Sequence, residues 1–207
     1  MKKIQAWFPT LIYAERLLAR GGQAFNAELL RECHQIRDFD RAGQRWSERS
    51  YPGGYTSYGS MDRLHRFSST FDLLRQRVDR HVRRYAQALE WDLRGGSLEM
   101  TDCWVNIMPR GCGHSFHLHP QSVVSGSYYV RTPRGCSALK FEDPRLSRLM
   151  AAPPRKTSGK TLHQAHIAYP AKSGQVILFE SWLRHEVPPS PVDEDRISIS
   201  FNYHWAQ

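Results

Sequence analysis

Residues 196–205 read RISISFNYHW, with polar and apolar side chains alternating at every step. Successive residues of a β-strand point to opposite faces, so Arg196, Ser198, Ser200, Asn202 and His204 share one face. Ile197, Ile199, Phe201, Tyr203 and Trp205 share the other. The apolar face must pack on the body of the protein. The polar face then looks into a polar cavity, or it belongs to an edge strand with a surface arginine. An arginine followed two residues later by a serine on the same face is a fork suited to a carboxylate.

Working outward from this strand, alternating or β-branched runs occur at 98–108, 123–131, 138–142, 164–169 and 175–180. Pro, Gly and Ser breaks separate them, as they separate short antiparallel strands. This pattern predicts an antiparallel sandwich or jelly roll, a double-stranded β-helix with helices packed outside it. Before it, a short strand is expected at "LIYAE", residues 11–15. A helix is expected over 26–39 with Asn26 as N-cap, because Leu29, Leu30, Cys33 and Ile36 recur at helical spacing. A second helix is predicted from Phe71 to Leu89, stopping by Gly95-Gly96, with its many arginines read as a solvated face. Residues 47–60, rich in Gly, Ser and Tyr, read as a loop that could form a lid. The basic stretch 144–163 reads as a second long loop, and the two are expected to wall a substrate cavity. The organisation is one domain over 1–207, with helical support mainly at 25–92 and the β core mainly at 98–205.

Several classes are excluded by composition. No segment is apolar for long enough to span a bilayer, and Pro9 and Glu15 interrupt the place where a signal peptide would be apolar. Cys33, Cys103, Cys112 and Cys136 are irregularly spaced, which indicates neither a disulfide framework nor a zinc knuckle. A soluble cytoplasmic protein is the expectation. Lys and Arg number 29 against 20 Asp and Glu, a net charge of +9 that favours an anionic partner unless it is only a solvated basic surface.

The chemistry-bearing stretch is GCGHSFHLHP, residues 111–120. In an extended strand His117 and His119 present two imidazoles to one ion while Phe116 and Leu118 face away. His185, just past the apolar strand 176–179, is the candidate third ligand. Neutral imidazoles suit Fe(II), Zn(II), Ni(II) and Cu(II), so ligand type does not choose the metal. The alternative is that all three are turn or core histidines. His114 has the opposite parity and is placed nearby rather than in the set.

At this point the chain resembles the Fe(II)/2-oxoglutarate-dependent dioxygenases, whose usual pattern is His-x-Asp/Glu, a distal His and Arg-x-Ser. Here it reads His117-Leu118-His119, His185 and Arg196-Ile197-Ser198. More closely it resembles the bacterial and phage "putative 2OG-Fe(II) oxygenase" family. That likeness runs through FPT (8–10), WVNI (104–107), HLHPQSVVSGSYYV (117–130), FEDPR (141–145), FESWLRHEV (179–187) and RISISFNY (196–203).

The resemblance implies that His117, His119 and His185 hold Fe(II), and that Arg196 with Ser198 binds the distal carboxylate of the co-substrate 2-oxoglutarate. Tyr129 and Asn106 would make further co-substrate contacts, and dioxygen is the oxidant. The implied reaction is hydroxylation of a small molecule or of an amino-acid or peptide side chain, with an anionic substrate and a homodimer both open. His119 replaces the usual carboxylate, so either a three-histidine centre operates or Glu142, Glu180 or Glu186 is recruited.

Two other readings remain. A three-histidine cupin dioxygenase fits the spacings Gly111 to His117 and Gly174 to His185, but it lacks the cupin glutamate after His119 and gives Arg196 no task. A non-catalytic basic binding module is the second. A nucleic-acid substrate is disfavoured, since no base-stacking platform is evident.

Overall fold

The structure, a computed structural model, describes residues 4–207; the first three residues of the predicted domain lie outside the described residues. The elements in order are β1 (Ile12–Arg16), α1 (Gly22–Phe39), α2 (Arg41–Ser50), β2 (Tyr55–Thr56), α3 (Ser69–Ala88), β3 (Ser97–Met108), β4 (His114–His117), β5 (Val124–Arg131), β6 (Leu139–Glu142), β7 (His166–Tyr169), β8 (Gln175–Glu180), β9 (His185–Val187) and β10 (Arg196–Ala206). They build a six-stranded sheet, β1-β8-β5-β10-β3-β2, facing a four-stranded one, β4-β9-β6-β7. All named strand pairs are antiparallel. This is the expected jelly roll with helices on its outside.

The alternation in β10 sorts its side chains between two environments. Ile197, Ile199, Phe201 and Tyr203 join Leu29, Cys33, Phe71, Leu74, Val78, Val82 and Tyr85 of the helices in the main core. Arg196, Ser198, Ser200 and Asn202 face the space between the sheets and line a cavity there. A smaller core between the sheets, of Tyr129, Leu139, Phe141, Ile177, Phe179 and Leu183, closes the other end. Gly126 on β5 is required by close approach: a Cβ there would stand 2.6 Å from the Ile177 carbonyl oxygen and 2.6 Å from the Phe201 ring. Gly126→Ala should therefore cost about 1–3 kcal/mol in chemical denaturation, and an unchanged midpoint would contradict this packing.

Helix boundaries depart from the sequence reading in three places. First, α1 begins at Gly22, four residues before the expected cap. Asn26 instead donates to the Val130 carbonyl (2.7 Å) and accepts from the Tyr128 hydroxyl (2.9 Å), tying α1 to β5. Second, α3 ends at Ala88, short of Gly95-Gly96, and its N-cap is Ser68, whose hydroxyl accepts from the amides of Thr70 and Phe71. Third, residues 41–50 are a helix and Tyr55–Thr56 a strand on the edge of the large sheet, so the predicted loop 47–60 is partly ordered structure. The α2 cap is Asp40, which also accepts from Tyr55 (2.8 Å) and from Ser60. Those hydrogen bonds satisfy a buried carboxylate.

His65 and His81 are buried away from the cavity, and burial lowers the pKa of each below the ordinary 6.5. The unfolded chain therefore takes up protons at a higher pH than the native one. Stability should be full above about pH 6.5 and fall as pH drops through the native pKa values. Urea midpoints at pH 7 and pH 5 measure the loss, and His81→Gln should shrink the difference; equal differences in the two proteins would remove His81 from the account.

Candidate metal centre and carboxylate pocket

Three segments meet at the mouth of the space between the sheets. β4 ends at His117, and His119 sits in the turn that follows, its amide donating to the Ser181 carbonyl (2.9 Å). His185 opens β9 directly opposite His117 in the ladder, with Phe141 on its other side. One ligand nitrogen from each of His117, His119 and His185 lies within 4.8 Å of the other two. HxH thus converges as expected, although His119 belongs to a turn rather than to the strand.

The imidazoles are oriented to coordinate. His117 Nδ1 lies 2.8 Å from the Ser115 carbonyl and His185 Nδ1 lies 2.9 Å from the Leu183 carbonyl. A carbonyl only accepts, so both Nδ1 atoms carry the proton and both Nε2 atoms present lone pairs. Burial, with a smaller contribution from the neighbouring His117, holds the pKa of His119 at about 4 and that of His185 at about 3. Burial likewise lowers His117, opposed by its bond to the Ser115 carbonyl. These rings are neutral at pH 7, the form that binds a metal.

His114 is also at the cavity, which parity alone did not place there. A register shift between His114 and His117 breaks the alternation and brings the two rings to 4.1 Å, with Tyr51 5.7 Å beyond. Among the described residues no carboxylate joins the histidine group. Glu142 accepts from Arg184 (3.0 Å) and Glu186 from Lys140 (2.8 Å), which leaves both engaged elsewhere.

Deeper in the cavity stands Arg196, 2% exposed. Its Nε donates to the Ser137 carbonyl (3.1 Å), and its Nη1 lies 3.3 Å from Ser198 Oγ and 3.2 Å from Met108 Sδ. No ion pair among the described residues includes it. A buried guanidinium bonded only to neutral groups is an uncompensated charge, costly unless an anion arrives. Tyr129 lies behind it, the ring centroid 5.1 Å from the guanidinium carbon, and does not line the cavity. The Tyr129 hydroxyl is buried with no hydrogen-bond partner; burial raises its pKa and the charge of Arg196 opposes the rise. An unmet hydroxyl and an unmet cation side by side fit a carboxylate.

The cavity holds about 480 Å³ including its open mouth. Its floor is Asn106, Ser127 and Ser200, joined to one another, and Ser125 bonded to Asn202. Its walls include Trp104, 6.2 Å from His119, against which the half-exposed Tyr58 packs at 5.0 Å. Sequence reasoning found Asn106 but missed Trp104 and Met108, which share its face of β3 by the same alternation. Tyr51, in a Gly- and Pro-rich stretch, carried no such signal. Residues 144–163 do not line the cavity, contrary to expectation, whereas Tyr51 from 47–60 does.

Residues 102–202, which span β3 to β10 and every residue of the histidine and arginine sites, match the family described as "Putative 2OG-Fe(II) oxygenase". This core, 101 of the 207 residues, is that of the 2OG-Fe(II) oxygenases. The oxygenase core is thus that of an enzyme family dependent on Fe(II) and 2-oxoglutarate. Three solved structures share the fold of this chain over most of its length. A prolyl-4-hydroxylase of Pseudomonas putida is 14% identical with a TM-score of 0.60, the match covering 94% of this chain and 92% of that one. The α-ketoglutarate-dependent epimerase SnoN from nogalamycin biosynthesis is 15% identical with a TM-score of 0.63, covering 94% and 76%. HygX from Streptomyces hygroscopicus, solved with nickel and 2-oxoglutarate, is 14% identical with a TM-score of 0.58, covering 94% and 82%. No curated protein matches the chain. No helix among the described residues is long and apolar enough to cross a membrane.

Proposed function

We propose that His117, His119 and His185 bind Fe(II) as a three-histidine centre, and that Arg196 with Ser198 anchors the distal carboxylate of 2-oxoglutarate. Bound iron and 2-oxoglutarate would supply the oxidation of an unactivated C–H bond by dioxygen, with succinate and carbon dioxide as co-products. The residues of the chain do the rest. The carbonyls of Ser115 and Leu183 hold two imidazoles in the ligating tautomer. Arg196 fixes the far end of the co-substrate, Tyr129 offers its unmet hydroxyl beside it, and Asn106 borders the same space. Trp104 and Tyr58 restrict water at the mouth. The observation that carries this reading is the buried Arg196 without an acidic partner, in the same cavity as three converging neutral imidazoles.

The substrate in this proposal is a small molecule or an amino-acid or peptide side chain, and the reaction a hydroxylation. The net charge of +9 favours an anionic one. Four free cysteines fit a reducing compartment such as the cytoplasm.

Anaerobic titration of the metal-free protein tests the proposal. Fe(II) followed by 2-oxoglutarate should produce a visible charge-transfer band that requires both additions. Iron binding with no response to 2-oxoglutarate would replace this reading with a cupin-type dioxygenase, and no iron binding would leave the histidines structural.

A further inference from the structure

On the helix side of the large sheet, a groove of about 920 Å³, open solvent included, runs between α3 and the segment that follows β1. Arg16, Arg77, Arg80 and Arg84 line it, with Glu15 as its one acid. Arg77, Arg80 and Arg84 are spaced i, i+3, i+7, so they rise along one helix face in steps of roughly 4.5 and 6 Å. Arg84 stands 3.9 Å from Glu15, both well exposed, while Arg16, Arg77 and Arg80 enter no ion pair among the described residues. Arg75, on another face of the same helix, is held between Asp72 (2.8 Å) and Asp79 (2.7 Å). The helix therefore pairs Arg75 with two acids and leaves Arg77 and Arg80 on the groove side without one among the described residues.

One of these cations, Arg77, is also held in place. The guanidinium of Arg77 lies 3.9 Å over the Phe25 ring, and its Nη1 is buried without a hydrogen-bond partner. Burial and the charge of Arg80 both push the pKa of Arg77 down, so an arriving anion would relieve an existing cost. The opposite wall is fixed by His81. Its Nε2 faces the Leu17 carbonyl (3.2 Å) and donates to it, and its Nδ1 lies 2.7 Å from the Tyr13 hydroxyl, which also stands 3.0 Å from Glu15 Oε2. A concave site with several guanidinium forks, one of them fixed against Phe25, and an unmet donor suits clustered phosphate oxygens.

We propose that this groove binds a small anion carrying two or more adjacent phosphate groups, at a site separate from the oxygenase cavity. A compact ligand fits better than a nucleic-acid strand, because the groove is bounded by the segment after β1. The neighbouring Phe25 ring is covered by Arg77, and no Phe, Tyr or Trp among the described residues lines the groove to stack a base. Two sources share this chemistry, a nucleoside triphosphate and an inorganic polyphosphate.

Calorimetric titration with tripolyphosphate, ATP and adenosine at low ionic strength tests the proposal on the full chain. Tripolyphosphate should bind, weakening as salt rises, and adenosine should not. Equal affinity for ATP would assign recognition to the phosphates alone, and tighter ATP binding would add a nucleoside contact; either supports the site. The double variant Arg80→Ala/Arg84→Ala, at solvent-facing positions, should weaken tripolyphosphate by more than about tenfold, with an unchanged circular dichroism spectrum. His185→Ala should leave this binding intact, which separates the groove from the oxygenase reading. Absence of tripolyphosphate binding, or undiminished binding in the double variant, would overturn the proposal. A single-stranded oligonucleotide that bound far more tightly than tripolyphosphate through the same arginines would also overturn it, in favour of nucleic acid.

Discussion

His185→Ala is expected to eliminate the charge-transfer band formed with Fe(II) and 2-oxoglutarate, and with it succinate release. His185 is buried between Phe179, 4.5 Å away by ring centroids, and His117, 4.2 Å away. No other histidine or carboxylate among the described residues stands in the group that could replace it. Losing a group that merely orients a ligand weakens metal binding about 10–100-fold, so losing the ligand itself should exceed roughly a hundredfold. The jelly roll should survive, because β9 adds only three residues to its sheet and the helix-side core is untouched. Iron binding measured by competition with a chelator, together with circular dichroism, distinguishes this from unfolding. A folded variant that retained wild-type iron affinity would remove His185 from the centre.

Arg196→Met separates stability from function in opposite directions. Without a co-substrate the guanidinium is a buried charge with neutral partners only. A flexible apolar chain of similar length should therefore leave the free protein as stable or more stable, by about 1–4 kcal/mol. For a chain of this size that is a rise of several degrees in Tm, at roughly 2–4 °C per kcal/mol. The same variant should lose 2-oxoglutarate affinity by a factor on the order of 10²–10³, as when one partner of a buried charge pair is removed. Thermal scans with and without 2-oxoglutarate read both effects at once. The wild type should be raised by the ligand and Arg196→Met should not. A variant that was destabilised yet still shifted by 2-oxoglutarate would show that Arg196 is a structural group.

What the sequence made legible follows the strength of its periodic signals. β10 alternates without interruption over ten residues, and both its faces were assigned from that alternation. The strands β3, β5, β6, β7 and β8 fall close to their predicted spans for the same reason. α2 escaped because its buried positions are Gly43 and Ser47, small residues that leave no apolar stripe to count. Asn26 has the side chain of an N-cap but spends it on β5, a tertiary contact that local pattern cannot reveal. At the site, His117, His119, His185, Arg196, Ser198 and Asn106 all reach the cavity. Tyr129 lies behind Arg196 rather than at the surface of the cavity, and His114 enters through a bulge, which strict parity excludes.

The serine and asparagine floor of the cavity bears on how such an enzyme changes its substrate. Ser125 spends its single proton on Asn202 (2.8 Å) and therefore accepts from Ser181 (2.8 Å), while Asn106 and Ser127 both turn to Ser200 (3.1 Å each). These groups bond to one another, so altering one removes a partner from its neighbours, and drift there is penalised twice. Tyr58 at the rim packs at a tilt on Trp104, and among the described residues no hydrogen bond hangs on its side chain. Substrate preference in this lineage should diversify at the doorway while the floor stays frozen, and a library aimed at a new substrate belongs at Tyr58 and Trp104.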